Sequence, residues 1–241
     1  MSAHPERIVP DDTEPGVVAL HRKRYEFALD RCRGAEVLDV ACGVGYGSAH
    51  LGTVAKRVLG IDVSADAIAY ARERYGTSSV EFAVMDAATL ALDDSSFDVV
   101  CAFEAIEHVE DADAVLTEIA RVLRPTGTLL ASTPRVERTT RAPKNPYHRV
   151  EYAPDDFRAL LERHFDTVEL YGQRRLQTRR HRLLRRLDVL GLRRRLPAPA
   201  AATRILGSAP TATVTAEGIA IEKGELRGAT EVVALCTGPK R

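Results

Sequence analysis

Three acidic residues each sit at the end of a short apolar run. Asp39 lies in VLDVACGVGYG (37–47), Asp62 in RVLGID (57–62) and Asp86 in VMDAATL (84–90). Gly43, Gly45 and Gly47 follow the first acid at alternate positions. Glycine permits a tight turn and lets a ligand lie against the backbone. Asp62 stands 19 residues after Gly43, where a carboxylate can accept hydrogen bonds from ribose hydroxyls. A plain strand-to-helix turn would explain the glycines alone. The order of strand, loop, helix and second acid points instead to a nucleoside ligand. A GxxxxGK[ST] phosphate cradle is absent, and Ala49 and His50 occupy the place of the last glycine in the dinucleotide fingerprint. Asp39 repels a pyrophosphate but suits a cationic group, such as an amine or a sulfonium. Asp86 can meet an adenine amino group or simply cap a helix.

A second set of polar residues is planted in apolar sequence. FEAIEHV (103–109) holds Glu104, Glu107 and His108, and NPYHRVEY (145–152) holds Asn145, His148, Glu151 and Tyr152. Deprotonating a hydroxyl usually takes a histidine or a carboxylate. His148, His108 and Glu107 are therefore the candidate catalytic residues. An ion pair or cap that steadies the loop would explain Glu107 and His108 equally well. Glu104, Glu107, His108 and His148 are residue types able to ligate a metal, but no tight ligand spacing supports a metal site. No cysteine nucleophile is expected, since Cys42 lies in the glycine loop and Cys101 inside a strand.

The elements that must hold these residues alternate regularly. Apolar runs predict strands at 35–41, 57–61, 80–84, 97–103, 128–132, 168–171 and 232–236. Helices are expected at 17–32, at 46–55, at 65–75 with Ser64 as its cap, at 112–123 and from Pro154 onward. Fully apolar strands alternating with helices point to an α/β, Rossmann-like, doubly wound sheet covered on both faces. In such sheets ligands bind beyond the carboxyl ends of the strands.

The chain has 241 residues and reads as a single domain over 1–241. Lys+Arg and Asp+Glu both number 34, which excludes a globally basic nucleic-acid binder. The four cysteines form no CxxC pair and read as buried free thiols. Without a visible leader or an apolar membrane span, a cytoplasmic location is expected. Residues 1–15 are polar, contain three prolines and read as a loose arm. Residues 174–226 break the rhythm. Ten arginines and one acid fall within 174–195, with Leu183, Leu184, Leu187 and Leu190 at helical spacing. This segment is expected to form a basic helical insert, or lid, before the last strand.

Taken together, these segments resemble the class I S-adenosylmethionine-dependent methyltransferases over roughly residues 20–173 and 229–237. VLDVACGVGYG is similar to the family's first motif, GIDVSADAI to its second and VMDAATL to its third. FDVVCAFEAIEHVED resembles the segment around its fourth strand, and LRPTGTLLASTP the turn into its fifth. Thr126 stands where the family often has glycine. The resemblance implies a seven-stranded sheet, mostly parallel, with the last strand antiparallel, and S-adenosyl-L-methionine as cofactor. It implies that Asp39, Ala41 and Gly43 line the methionine end, with Gly45 giving room against the loop. It puts the ribose hydroxyls on Asp62, Val63 beside the adenine, and Asp86 and Ala87 at the adenine edge. Phe103 and Glu104 would lie below the methyl donor, and Arg24 and Tyr25 would close over the carboxylate end.

FEAIEHV with NPYHRVEY is similar to a subgroup acting on sugars and natural products. That implies a small-molecule or lipid-linked acceptor, methylated on oxygen. Small-amine N-methylation and RNA methylation through the arginine-rich segment are the alternatives. The second is disfavoured by the neutral net charge and by the lack of any aromatic residue in 174–195. NPYH is also similar to the Asn-Pro-Pro-Tyr motif of amino-methylating nucleic-acid enzymes. It follows the fifth predicted strand rather than the fourth, so base methylation is not expected. Asp39 and the missing glycine speak against an oxidoreductase, and the polar clusters against a non-enzymatic cofactor binder.

Overall fold

In the computed structural model, which describes residues 7–176 and 215–241, the apolar runs become the central strands of one sheet. β1 (Glu36–Val40) has four of its five residues buried. It lies between β2 (Arg57–Asp62) and β4 (Phe97–Phe103), parallel to both. β3 (Val80–Val84) extends the parallel set beyond β2, and β5 (Leu123–Pro134) does so beyond β4. β8 (Glu231–Pro239) runs antiparallel between β5 and β6 (Phe165–Arg175). The full order is β3-β2-β1-β4-β5-β8-β6-β7.

The sheet has eight strands among the described residues, not seven. The additional one, β7 (Ile219–Lys223), pairs antiparallel with β6 at the edge. Both ends of the expected 174–226 insert are thus strand, because Arg174 and Arg175 end β6. Its four leucines and the remaining arginines lie outside the described residues. β5 also starts earlier than expected. Its ladder with β4 jumps from Phe97↔Leu123 to Val99↔Thr128, so Pro125 and Gly127 sit in a bulge rather than before the strand.

Side chains alternate between the two faces of the sheet, and each face carries its own core. Leu38, Val100 and Leu129 pack with Leu116, Ile119, Phe157 and Leu161. The last four come from α4 (Ala112–Val122) and α5 (Pro154–Glu162). On the opposite face Val37, Cys101 and Leu130 pack with Tyr25, Ala28, Leu51, Ile68 and Ala71. These come from α1 (Pro15–Cys32), α2 (Tyr46–Leu51) and α3 (Ala65–Tyr75). Burying apolar area contributes about 25 cal/mol per Å², so both faces must be covered for the sheet to persist. All four cysteines are buried and free. Residues 7–13, expected in the loose arm, are docked. Arg7 donates to Ser64 Oγ at 2.7 Å, Asp11 pairs with Arg74 at 2.7 Å and Val9 is buried. Among the described residues no helix is long and apolar enough to cross a membrane.

Candidate functional site

The carboxyl ends of β1, β2, β3 and β4 gather the expected cofactor residues along one rim. After β1 the chain turns through positive φ at Ala41 (56°), Gly43 (55°) and Gly45 (84°). Gly45 then opens α2 as its N-cap. Asp62, the last residue of β2, clamps this loop. Its Oδ2 accepts from the Gly43 N–H at 3.0 Å and its Oδ1 from the Ser64 N–H at 2.8 Å. Ser64 Oγ in turn caps α3 by accepting from the Ala67 N–H at 3.3 Å. Beside Asp62, Val63 is 70% exposed, an apolar side chain held in the open. Asp86 is exposed after β3 and its Oδ1 accepts from the Ala88 N–H at 2.9 Å, while Ala87 is half-buried.

Asp39 lies beneath the loop rather than on its surface. It is fully buried, accepts from Ser48 Oγ at 2.6 Å and meets the Tyr25 hydroxyl at 3.4 Å. Burial, together with the charge of Asp62, raises its carboxyl from 3.8 to about 7, although the bonds from Ser48 and Tyr25 pull the other way. Tyr25 is not a lid. It is buried, with its ring edge-on to Phe103 at 5.1 Å and to Tyr46 at 5.9 Å. Arg24 is buried as well. Its Nη1 lies 3.9 Å from Glu104 Oε1 and 3.9 Å from Glu231 Oε2, and among the described residues its Nε and Nη2 have no hydrogen-bond partner. An unfilled buried guanidinium edge suits a carboxylate.

Phe103 ends β4, and Glu104 follows with φ of 52°. Ser132, at the end of β5, holds Glu104 in that conformation. Its carbonyl accepts the Glu104 N–H at 3.1 Å, and its hydroxyl donates to Glu104 Oε1 at 2.6 Å. Ser132, Ser48 and Glu231 escaped the sequence reading. Each is one isolated polar residue, and only the folded arrangement of sheet and helix shows what it faces.

The second polar set also converges. Ile106–His108 forms a short 3-10 turn after β4. The Glu107 carbonyl accepts from the Arg149 N–H at 2.7 Å and from the Val150 N–H at 3.3 Å, which pins the 145–152 segment over the turn. His108 and His148 then meet edge-to-face, with ring centroids 4.9 Å apart. His148 Nδ1 lies 2.9 Å from Glu151 Oε1, and His108 Nδ1 lies 3.1 Å from the Tyr147 carbonyl. Glu107 is fully buried, and burial, with Glu104's charge adding to it, holds its carboxyl well above the usual range.

Residues 38–131 match a family model described as a methyltransferase domain. A probable S-adenosylmethionine-dependent methyltransferase of Mycobacterium tuberculosis (strain CDC 1551 / Oshkosh) is 38% identical over 162 residues. Over residues 38–131 the chain carries a methyltransferase domain, and it is similar to S-adenosylmethionine-dependent methyltransferases. That match spans 65% of this chain and 58% of the relative's length. Phosphoethanolamine N-methyltransferase 1 of Triticum aestivum is 38% identical over 113 residues, which is 46% of this chain and 23% of that one. A solved Burkholderia thailandensis 1,6-didemethyltoxoflavin-N1-methyltransferase, with S-adenosylhomocysteine bound, shares the fold with a TM-score of 0.59 at 18% identity. The alignment covers 92% of this chain and 79% of that chain.

The rim fits the family's cofactor in its chemistry. Asp62 presents carboxylate lone pairs, Val63 an exposed apolar surface and Glu104 a further carboxyl group, with Asp39 buried beneath the loop. Gly45 packs directly against the core, where a Cβ would meet the Phe82 ring at 2.6 Å, so the tight loop leaves no room for a side chain there.

Proposed function

We propose that this methyltransferase transfers a methyl group to a hydroxyl oxygen of a small-molecule or lipid-linked acceptor. The observation that carries this reading is the Glu107, His108 and His148 cluster beside the carboxyl end of β4, next to Glu104. S-adenosylmethionine supplies an activated methyl group on a sulfonium. Asp62 holds the ribose hydroxyls, Asp86 and Ala87 meet the adenine edge, and Arg24 attracts the carboxylate. Glu104 and Asp39 favour the cationic end. Phe103 and Tyr25 form an apolar floor that keeps water out. The cluster takes the proton that a hydroxyl acceptor must lose, which an amine acceptor need not lose in the same way.

Similarity to a phosphoethanolamine N-methyltransferase favours N-methylation of a small amine as the second reading. The arginine-rich stretch of 174–195 is read as the selector of an anionic acceptor. Replacing Arg179, Arg182, Arg185 and Arg186 by glutamine is then expected to raise the acceptor's KM and leave cofactor affinity unchanged. A fall in cofactor affinity with intact acceptor kinetics would overturn that role.

Calorimetry with S-adenosylmethionine tests the cofactor assignment. Asp62→Ala removes a carboxylate that braces Gly43 and would hold the ribose. Hydrogen bonds to charged groups contribute roughly 1.5–3 kcal/mol each, so affinity is expected to fall tenfold or more. Equal affinity in wild type and variant, or tighter binding of NAD than of S-adenosylmethionine, would sink the reading.

A further inference from the structure

Glu107, His108 and His148 supply more than proton acceptors. One ligand atom from each lies within 4.8 Å of the others. Glu107 is fully buried; the Thr133 hydroxyl favours its charged form, but among the described residues no hydrogen bond of good geometry reaches either carboxyl oxygen. Its backbone carbonyl, by contrast, accepts two bonds from the 145–152 segment. A buried carboxyl without partners is costly and uncommon, and calls for a counterpart.

Both histidines are oriented from behind. The Nδ1–H of His148 donates to the Glu151 carboxylate and that of His108 to the Tyr147 carbonyl. Each bond leaves the ring's lone pair on Nε2. A carboxylate or carbonyl on the outer nitrogen is the usual support of a metal-ligating imidazole, fixing both tautomer and ring plane. The His148 Nε2 faces the Asn145 amide nitrogen at 2.9 Å, a contact that a cation would replace. Asn145 keeps a second role in the segment, since its Oδ1 accepts from the Tyr147 N–H at 3.1 Å.

We propose that Glu107, His108 and His148 bind one divalent first-row cation of the zinc or manganese class. Two imidazole nitrogens and one carboxylate oxygen suit such ions better than calcium or magnesium, which prefer all-oxygen shells. Three protein ligands leave coordination positions for an outside oxygen. Resting on the hydroxyl-methylation reading, that oxygen is the acceptor's. The bound ion lowers the hydroxyl's pKa. With the ion in place the O–H bond would break with its electron pair left on oxygen and its proton passed to water, which replaces direct proton uptake by the three side chains. Glu107, His108 and His148 act in this case as ligands, and Glu151 as a positioning residue behind His148.

The test is calorimetric titration of the full chain with Zn2+ alone and Mn2+ alone, without cofactor or acceptor. At least one of the two ions is expected to bind with a stoichiometry of one per chain. Glu107→Gln, His108→Ala and His148→Ala should each weaken that binding tenfold or more. Glu151→Gln should also weaken it, by roughly 10–100-fold, through the orientation of His148. His164→Ala, whose ring pairs with Asp113 at 2.8 Å, should bind as wild type does. Circular dichroism identifies any cluster variant that fails to fold, and Glu151→Gln, altered outside the cluster, then carries the test. No stoichiometric uptake of either ion, or wild-type affinity in the folded variants, overturns the site. Because no cofactor is present, that failure leaves methyl transfer standing. Loss of S-adenosylmethionine binding with ion uptake intact would overturn methyl transfer alone.

Discussion

Asparagine in place of Asp39 is expected to stabilise the ligand-free chain by roughly 2–4 kcal/mol at pH 8 and to weaken its hold on S-adenosylmethionine tenfold or more. The carboxyl is raised from 3.8 to about 7, first by burial. Between those values the folded chain keeps the proton and the unfolded chain has lost it. Stability therefore falls as pH rises through that window and stays reduced above it. Each pH unit of the window corresponds to about 1.4 kcal/mol. The amide cannot ionise, so its curve should be flat there. Its own N–H donors need partners, which offsets part of the gain. Thermal melts should show the variant well above wild type at pH 8 and close to it at pH 4. Parallel pH curves for the two proteins would refute the argument. In wild type, cofactor affinity should rise as pH passes 7, when the buried anion appears. The site thus holds a charge that costs folding energy and pulls on a cation.

Gly45→Ala should cost about 3 kcal/mol or more and abolish tight cofactor binding. Two separate penalties add. The left-handed conformation (φ 84°) is unfavourable for alanine by roughly 1–2 kcal/mol. The new Cβ would also stand 2.6 Å from the Phe82 ring and 2.7 Å from the Ala71 Cβ. Relieving that clash moves β3 against α3 and costs roughly 1–3 kcal/mol. Gly43→Ala separates the two effects, because its φ is 55° yet nothing lies within 4 Å of the built Cβ. It should pay the strain alone, about 1 kcal/mol. Denaturant melts of both variants decide the matter, and equal losses would mean that packing around Gly45 contributes nothing.

Much of this could be read from local pattern. β1, β2, β3 and β4 are short apolar runs, and the acids at their ends are visible because charge interrupts hydrophobicity there. α3 announced itself through Ser64 and Asp66. β7 did not. Its five residues, IAIEK, alternate weakly and lie beyond an arginine-rich and proline-rich stretch, and its pairing with β6 alone makes it a strand. The sequence puts Arg24 and Tyr25 on the first helix, but no local pattern shows that both side chains are buried. Tyr25 is buried because Gly47 leaves room for its ring, as a Cβ there would sit 2.0 Å from Tyr25 Cζ. The meeting of Glu107 and His108 with His148 had no local signal. His148 stands 40 positions after His108, and backbone bonds from residues 149 and 150 to the Glu107 carbonyl close that distance.

The pairing of β6 with β7 has a consequence for how the chain can vary. Arg175 stands opposite Ile219, and the Leu176 N–H donates to the Gly218 carbonyl at 2.7 Å. The chain leaves the sheet and returns to it at adjacent points, as at the mouth of a hairpin. Closing a longer loop costs little more than closing a shorter one, since the entropy grows with the logarithm of length. The edge is therefore a modular junction. Whatever is spliced between residues 176 and 215 can grow, shrink or be exchanged while the rim at the far side of the sheet keeps its register.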